Sequence, residues 1–196
     1  MKHSDKDHKD ILNFIAEAGL LKRVKRSGWW VLGIENGESV ADHSFRCAVI
    51  AYLLAKMENV DSGKVLMMAL FNDIHEARIS DLHKMAQRYI DGKAAEDKAF
   101  LGQANSLPGY IGDDLLKMYK EYRGQSTKES LVARDADILE CLIQAKEYQE
   151  HGFKEAVRFM KKAPGFLRTK SAKSLWKVAR RHSFNDWWNA LSTFDR

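Results

Sequence analysis

Four polar side chains interrupt otherwise apolar helical patterns. They are His43, in the first turn after a Ser39 cap; Asp73 and Glu76, closing a long apolar run; and Asp137, within Asp135-Ala136-Asp137-Ile138-Leu139. An ionised carboxylate in a low-dielectric interior is costly unless a cation or several hydrogen bonds compensate it. A divalent cation compensates several carboxylates at once. One imidazole with two or more carboxylates suits Mg²⁺, Mn²⁺, Fe²⁺, Co²⁺ or Zn²⁺, with positions left over for water and a phosphate oxygen. The competing reading is a solvated His at a helix start and solvated acids at helix ends, and spacing alone leaves that reading standing.

The elements that must position these residues read as helices. A Ser4-x-x-Asp7 start is followed by Ile11, Leu12, Ile15, Ala18 and Leu21 at helical spacing, which predicts a first helix ending near the basic run Lys22–Arg26. From Ser27 to Glu38, Gly28, Gly33 and Gly37 surround Trp29 and Trp30, the pattern of a lid packed over a core or a ligand. Ser39-x-x-Asp42 caps the next helix, whose buried face is expected to be Phe45, Val49, Tyr52 and Leu53. Asp61-Ser62 starts another, and its nearly continuous apolar run from Val65 to Phe71 marks the centre of a bundle. Ser80-Asp81 is expected to open a short helix, and further helical patterns cover 94–106, 111–123, 127–150, 153–162 and 171–192. Strand-like alternation is missing, so the fold is expected to be all-α, a single domain over 1–196 with its core at about 10–150 and basic, aromatic helices at 151–196.

Composition narrows the class. The chain has 196 residues, 45% of them hydrophobic and 30% charged, which is globular rather than disordered. Two prolines and 12 glycines are too few for the turns of a sandwich or small barrel. Cys47 and Cys141 cannot build a disulfide framework and read as reduced core thiols, and the polar N-terminus carries no secretory pattern, so a cytoplasmic protein is expected. The apolar run at 65–71 is too short to span a membrane. The net charge of +5 is unevenly placed: Lys154 to Arg181 carries ten Lys and Arg against Glu155 alone, leaving −4 on the other 168 residues. Such a segment attracts phosphate in any form, but a solvated helix face is the expected reading and nucleic acid is not the expected partner.

The chained segments Glu38-Ser39-Val40-Ala41-Asp42-His43-Ser44-Phe45-Arg46, Ala69-Leu70-Phe71-Asn72-Asp73-Ile74-His75-Glu76-Ala77, Ser80-Asp81-Leu82 and Arg134-Asp135-Ala136-Asp137 are more specific together than any one of them. Over roughly residues 10–150 they resemble the HD-domain metal-dependent phosphohydrolases, in particular the 5′-deoxynucleotidase-like branch. The resemblance implies a helical bundle in which a His, a His-Asp pair and a distant Asp hold a divalent cation and phosphate is removed from nucleoside 5′-monophosphates. It places His43, Asp73 and Asp137 as metal ligands, Glu76 as the carboxylate that aligns or deprotonates the attacking water, and Asp81 facing the sugar. Arg23-Val24-Lys25-Arg26-Ser27-Gly28-Trp29 resembles the family's substrate element, with Arg26 on the phosphate and Trp29 on the sugar or base; Lys25 or Arg23 could take the place of Arg26, and Trp29 could equally serve as plain cover.

One position departs from that pattern. Asn72 stands where the family has the His of the pair, in the metal-ligand position, and a neutral amide oxygen is a weak ligand. The change is either introduced or natural. His75 lies about 300° round the helix from position 72, a poor place from which to replace the missing imidazole. Two other functions compete with the phosphomonoesterase: a nucleotide or nucleic-acid binder with little or no catalysis, and a nucleotide phosphodiesterase. Members of the family commonly form dimers, and Trp176, Phe184, Trp187, Trp188 and Phe194 offer apolar surface for a homodimer or for cover of the chain's own core.

Overall fold

A computed structural model describes residues 4–191. Its helices in chain order are α1 (Asp5–Ala18), α2 (Val40–Glu58), α3 (Ser62–Phe71), the single turn α4 (Glu76–Ile79), α5 (Gly92–Asn105), α6 (Gly109–Gly124), α7 (Lys128–Glu150), α8 (Val157–Lys162), α9 (Lys170–Ala179) and α10 (Asp186–Leu191). No strand is present among the described residues; an isolated bridge joins Lys25 to Ser39. Local chemistry sets the helix starts. Ser4 with Asp7 and Ser39 with Asp42 form reciprocal capping boxes, and Asp61 and Thr127 accept amide hydrogens of the first turns of α3 and α7.

α2, α3 and α7 make the centre. Their shared core holds Cys47, Ala51, Leu54, Ala55, Val65, Met68, Ala69, Val132, Ala136, Leu139 and Leu142, and Leu167, Ala172 and Trp176 close it from the C-terminal side. A second core joins Leu21, Val40 and Ile74 to Phe100 and Ala104 of α5, Leu107 of the connecting turn, and Leu115 and Tyr119 of α6. There the helices approach so closely that a Cβ on Gly112 would lie 2.3 Å from the Ala104 carbonyl oxygen, so only glycine fits.

Three expectations are corrected. The large apolar residues of α2 do not face the core: Phe45 is 70% exposed and Leu53 52%, with Val49 and Tyr52 also exposed. The inward face is made instead by His43, Ser44, Cys47, Ala48, Ala51 and Ala55 with Ile50 and Leu54, mostly small side chains that let α3 and α7 pack against the helix. Ser80-Asp81 opens no helix. Ser80 takes φ 61°, an unusual conformation worth about 1–3 kcal/mol of strain, and ends α4. The Asp81 carboxylate accepts the Ser27 amide at 2.7 Å while the Ser27 hydroxyl donates to the Asp81 carbonyl at 2.8 Å, so the pair ties down the lid. The pattern at 171–192 is two helices, because the Ser183 amide donates to the Asp186 carboxylate and starts α10 anew.

The ten basic side chains between Lys154 and Arg181 are all exposed. Trp176 is core, Trp187 and Trp188 are exposed, and Phe194 lies outside the described residues. No helix among the described residues is long and apolar enough to cross a membrane.

Candidate metal centre and substrate cavity

His43 sits in the first turn of α2 and is 1% exposed. Its Nδ1 donates a short hydrogen bond to the Glu140 carboxylate on α7. That bond fixes the ring, and Nε2 is left facing Asp137 Oδ1 at 3.3 Å and Asp73 Oδ2 at 3.5 Å. Asp73 lies just beyond the end of α3, and Asp137 is three residues before Glu140, so one face of α7 supplies both a group that meets the imidazole's free nitrogen and one that holds its other side. Glu140 is itself held by Arg46, whose Nε donates to it at 2.9 Å and whose Nη1 reaches Glu147 at 2.7 Å.

Two further cations face the carboxylates. Arg26 Nη1 lies 3.3 Å from Asp73 Oδ2, and Arg134 pairs with Asp137. Asn72 donates its amide to Asp73 Oδ1 at 2.8 Å. The electrostatics follow. Burial and Arg26 push the His43 imidazole down, but Glu140 and Asp137 outweigh them and raise it to about 10. Burial would raise Asp137, yet His43 and Arg134 hold it well below the ordinary carboxylate range. Burial raises Asp73 against the opposing pull of Arg26 and His43.

One imidazole nitrogen and two carboxylate oxygens, from His43, Asp73 and Asp137, lie within 4.8 Å of one another. This donor set fits a divalent cation that accepts mixed nitrogen and oxygen ligands. Glu38, His43 and Glu140 form a second grouping of similar span, but it uses the nitrogen that Glu140 already occupies, and Arg46 neutralises Glu140. It suits positioning better than coordination.

A cavity of about 1020 Å³ opens beside the centre, near the upper end of the ~300–1,000 Å³ usual for ligand sites. Arg26, Trp29, Asn72, Asp73, Glu76, Asp81 and Asp137 all border it. Glu76 is buried with Oε2 unpartnered, and burial, then Asp73 and Asp81, push it well above the ordinary carboxylate range. Trp29 is only 2% exposed; its indole donates to Glu38 at 3.0 Å and packs on Tyr148 and Phe159, so most of the ring is cover and only part of it borders the cavity. Lys25 donates to the Gly37 carbonyl, which leaves Arg26 as the lid cation at the centre. His75 borders the cavity as well, but its ring meets the edge of Tyr119 and it belongs to neither donor grouping. Asp135 is turned away and accepts the Arg168 and Thr169 amides ahead of α9.

Residue-by-residue reading missed Glu140, Arg46, Glu38 and Arg134. Glu140 was detectable in one respect: it is a second carboxylate one turn beyond Asp137, among Ile138, Leu139, Cys141 and Leu142.

An all-helical bundle with a His, two Asp and a flanking carboxylate at the mouth of a cavity defines a class of metal-centred helical domains. The profile of the HD domain family matches residues 18–176, and the chain belongs to that family. It is 33% identical over 147 residues to a Dictyostelium discoideum protein named 5′-deoxynucleotidase HDDC2, an alignment covering 71% of this chain and 77% of that one. The Homo sapiens protein of the same name is 29% identical over 72% of this chain and 70% of its own. Among solved structures, a conserved hypothetical protein from Pyrococcus furiosus superposes with a TM-score of 0.75 at 35% identity, over 87% of this chain and 99% of that one.

Proposed function

We propose that the chain is a divalent-metal-dependent phosphomonoesterase that removes phosphate from (deoxy)nucleoside 5′-monophosphates. The observation that carries the reading is the convergence of His43, Asp73 and Asp137 at a cavity that also presents Arg26 and the unpartnered carboxyl of Glu76. The names of the relatives, 5′-deoxynucleotidase in Dictyostelium discoideum and Homo sapiens, support the substrate class.

His43, Asp73 and Asp137 would hold the cation, of the Mn²⁺, Co²⁺, Mg²⁺, Fe²⁺ or Zn²⁺ class. When bound there, it polarises a phosphate oxygen and lowers the pKa of water. Arg26 offers its guanidinium fork to the phosphoryl oxygens and counters charge moving toward the leaving 5′-oxygen. Glu76 aligns the attacking water and takes its proton at Oε2. Burial, Asp73 and Asp81 raise the Glu76 carboxyl, and a cation held by Asp73 would offset that like-charge repulsion and favour the carboxylate. Asp81, tethered to Ser27, faces the sugar, and Trp29 backs the lid. Unpaired Cys47 and Cys141 fit the reducing cytoplasm.

Asn72 favours a second reading, a nucleotide-binding protein with weak turnover, because an imidazole ligand is missing where an amide instead donates to Asp73. A phosphodiesterase with two metals is disfavoured, since both donor groupings among the described residues share His43.

Phosphate release from ribo- and deoxynucleoside 5′-monophosphates, 3′-monophosphates and a phosphodiester, with Mn²⁺ or Co²⁺, tests the proposal on this chain and on Asn72→His. Release from 5′-monophosphates alone is expected, rising at least ~100-fold in Asn72→His at matched metal as the ligand is restored. An Asn72→His chain that binds metal yet hydrolyses no monophosphate would leave the binding protein as the better account.

A further inference from the structure

The segment from Lys154 to Arg181 is the charged feature that the proposed chemistry leaves unused. Of its ten Lys and Arg, Arg158 alone makes an ion pair among the described residues, with Glu155. α9 concentrates the charge. Its inward side, with Ala172 and Trp176, is buried in the core, while Lys170, Lys173 and Lys177, and Arg181 just past its end, follow one another three or four residues apart on the outward side. Like charges at that spacing repel, and Lys170 adds a cation to the first turn, where the helix dipole is already positive. The stripe therefore costs the fold, and only an anion from outside offsets it. Beyond it, α10 turns its apolar side to solvent: Trp187 and Trp188 lie four and three residues before Leu191, and the three side chains are 60%, 54% and 73% exposed.

We propose that this end of the chain docks on an anionic lipid bilayer, with the α9 cations against the headgroup phosphates and Trp187, Trp188 and Leu191 in the interface. Each half supplies one of the two signals that stable peripheral attachment takes. The cationic stripe matches the negative surface of a cytoplasmic leaflet, and a groove lined by Ser174, Lys177, Val178, Arg181 and His182 offers a headgroup both cations and a hydroxyl donor. Trp suits a membrane interface because its ring is apolar and its N–H polar. A single-stranded nucleic acid would also meet the charge, but it stacks successive bases in parallel. The two indoles instead stand at 78° with centroids 5.9 Å apart, and the aliphatic Val178 and Leu191 offer nothing to stack on. Docking in this way needs no spanning helix. The proposal gives the basic segment a partner and gives Trp187 and Trp188 lipid in place of a second copy, and it stands whether or not the chain is a phosphatase.

Vesicles of phosphatidylcholine alone, and of phosphatidylcholine with phosphatidylserine at about 3:1, in about 0.1 M salt, test this on the full chain. Co-sedimentation with the anionic vesicles only is expected, with the tryptophan emission moving to shorter wavelength. Lys173→Gln with Lys177→Gln should weaken vesicle binding by about 30-fold, whereas Lys9→Gln with Lys120→Gln, which removes the same charge from other exposed sites, should leave it within about two-fold. Trp187→Ser with Trp188→Ser should abolish the emission shift. All six side chains are exposed, so helical circular dichroism should be unchanged in each variant. A chain that stays in solution, an equal loss from the Lys9 and Lys120 pair, or an emission shift that persists without the two indoles would each overturn the proposal. So would tighter binding to a single-stranded oligonucleotide than to the vesicles, or light scattering that shows Trp187 and Trp188 holding two chains together.

Discussion

Two walls of the same site, the metal centre and the cavity beside it, treat buried polar groups in opposite ways. On the wall made by α2, α3 and α7, His43, Asp73, Asp137 and Glu140 are bound to one another and to Arg26, Arg46 and Arg134. On the wall made by α4, His75 and Glu76 are as deeply buried, yet His75 Nδ1 and Glu76 Oε2 have no partner. Burial costs both sets, but only the first is compensated from within the protein. Mutual bonding holds groups in a fixed geometry, whereas a carboxyl with an unpartnered oxygen keeps that oxygen open to a water or ligand that enters. The first wall is built to hold and the second to react.

The largest effect that could break this contrast is at Glu76. On the Asn72→His chain, Glu76→Ala is expected to lower kcat by about 10²–10⁴-fold while leaving Mn²⁺ affinity within a few-fold of its parent, as loss of a general base does. Unchanged turnover would mean that the unpartnered carboxyl is a structural accident. A smaller effect sharpens the other wall. Glu140→Gln keeps the shape of the side chain but weakens its hold on His43 Nδ1, and calorimetry should show Mn²⁺ affinity falling by about 10–100-fold. Unaltered affinity would show that His43 is held by packing alone.

How much of this is legible before folding depends on how local the cause is. The caps at Ser4, Ser39 and Asp61 follow from side chains that reach amides three residues away, so the starts of α1, α2 and α3 are readable. Ser80-Asp81 shows the same pattern and fails, because Asp81 is taken by Ser27, 54 residues earlier in the chain. The face of α2 fails for a related reason. Apolar side chains occur all round that helix, and its period cannot say whether the packed side is the bulky one or the small one. His43, Asp73 and Asp137 stand out by type in apolar surroundings, whereas the roles of Glu140 and Arg46 arise only when α2 and α7 meet across a separation of 94 or more residues.

The proposed chemistry requires His43, Asp73 and Asp137 to hold a divalent cation. Titration calorimetry of Mn²⁺ into this chain and into Asp137→Ala, with circular dichroism to confirm that both are helical, tests that claim. A single site per chain that is lost in Asp137→Ala, with the helices intact, is the predicted result. Equal Mn²⁺ binding by the two chains would contradict it and place the cation elsewhere.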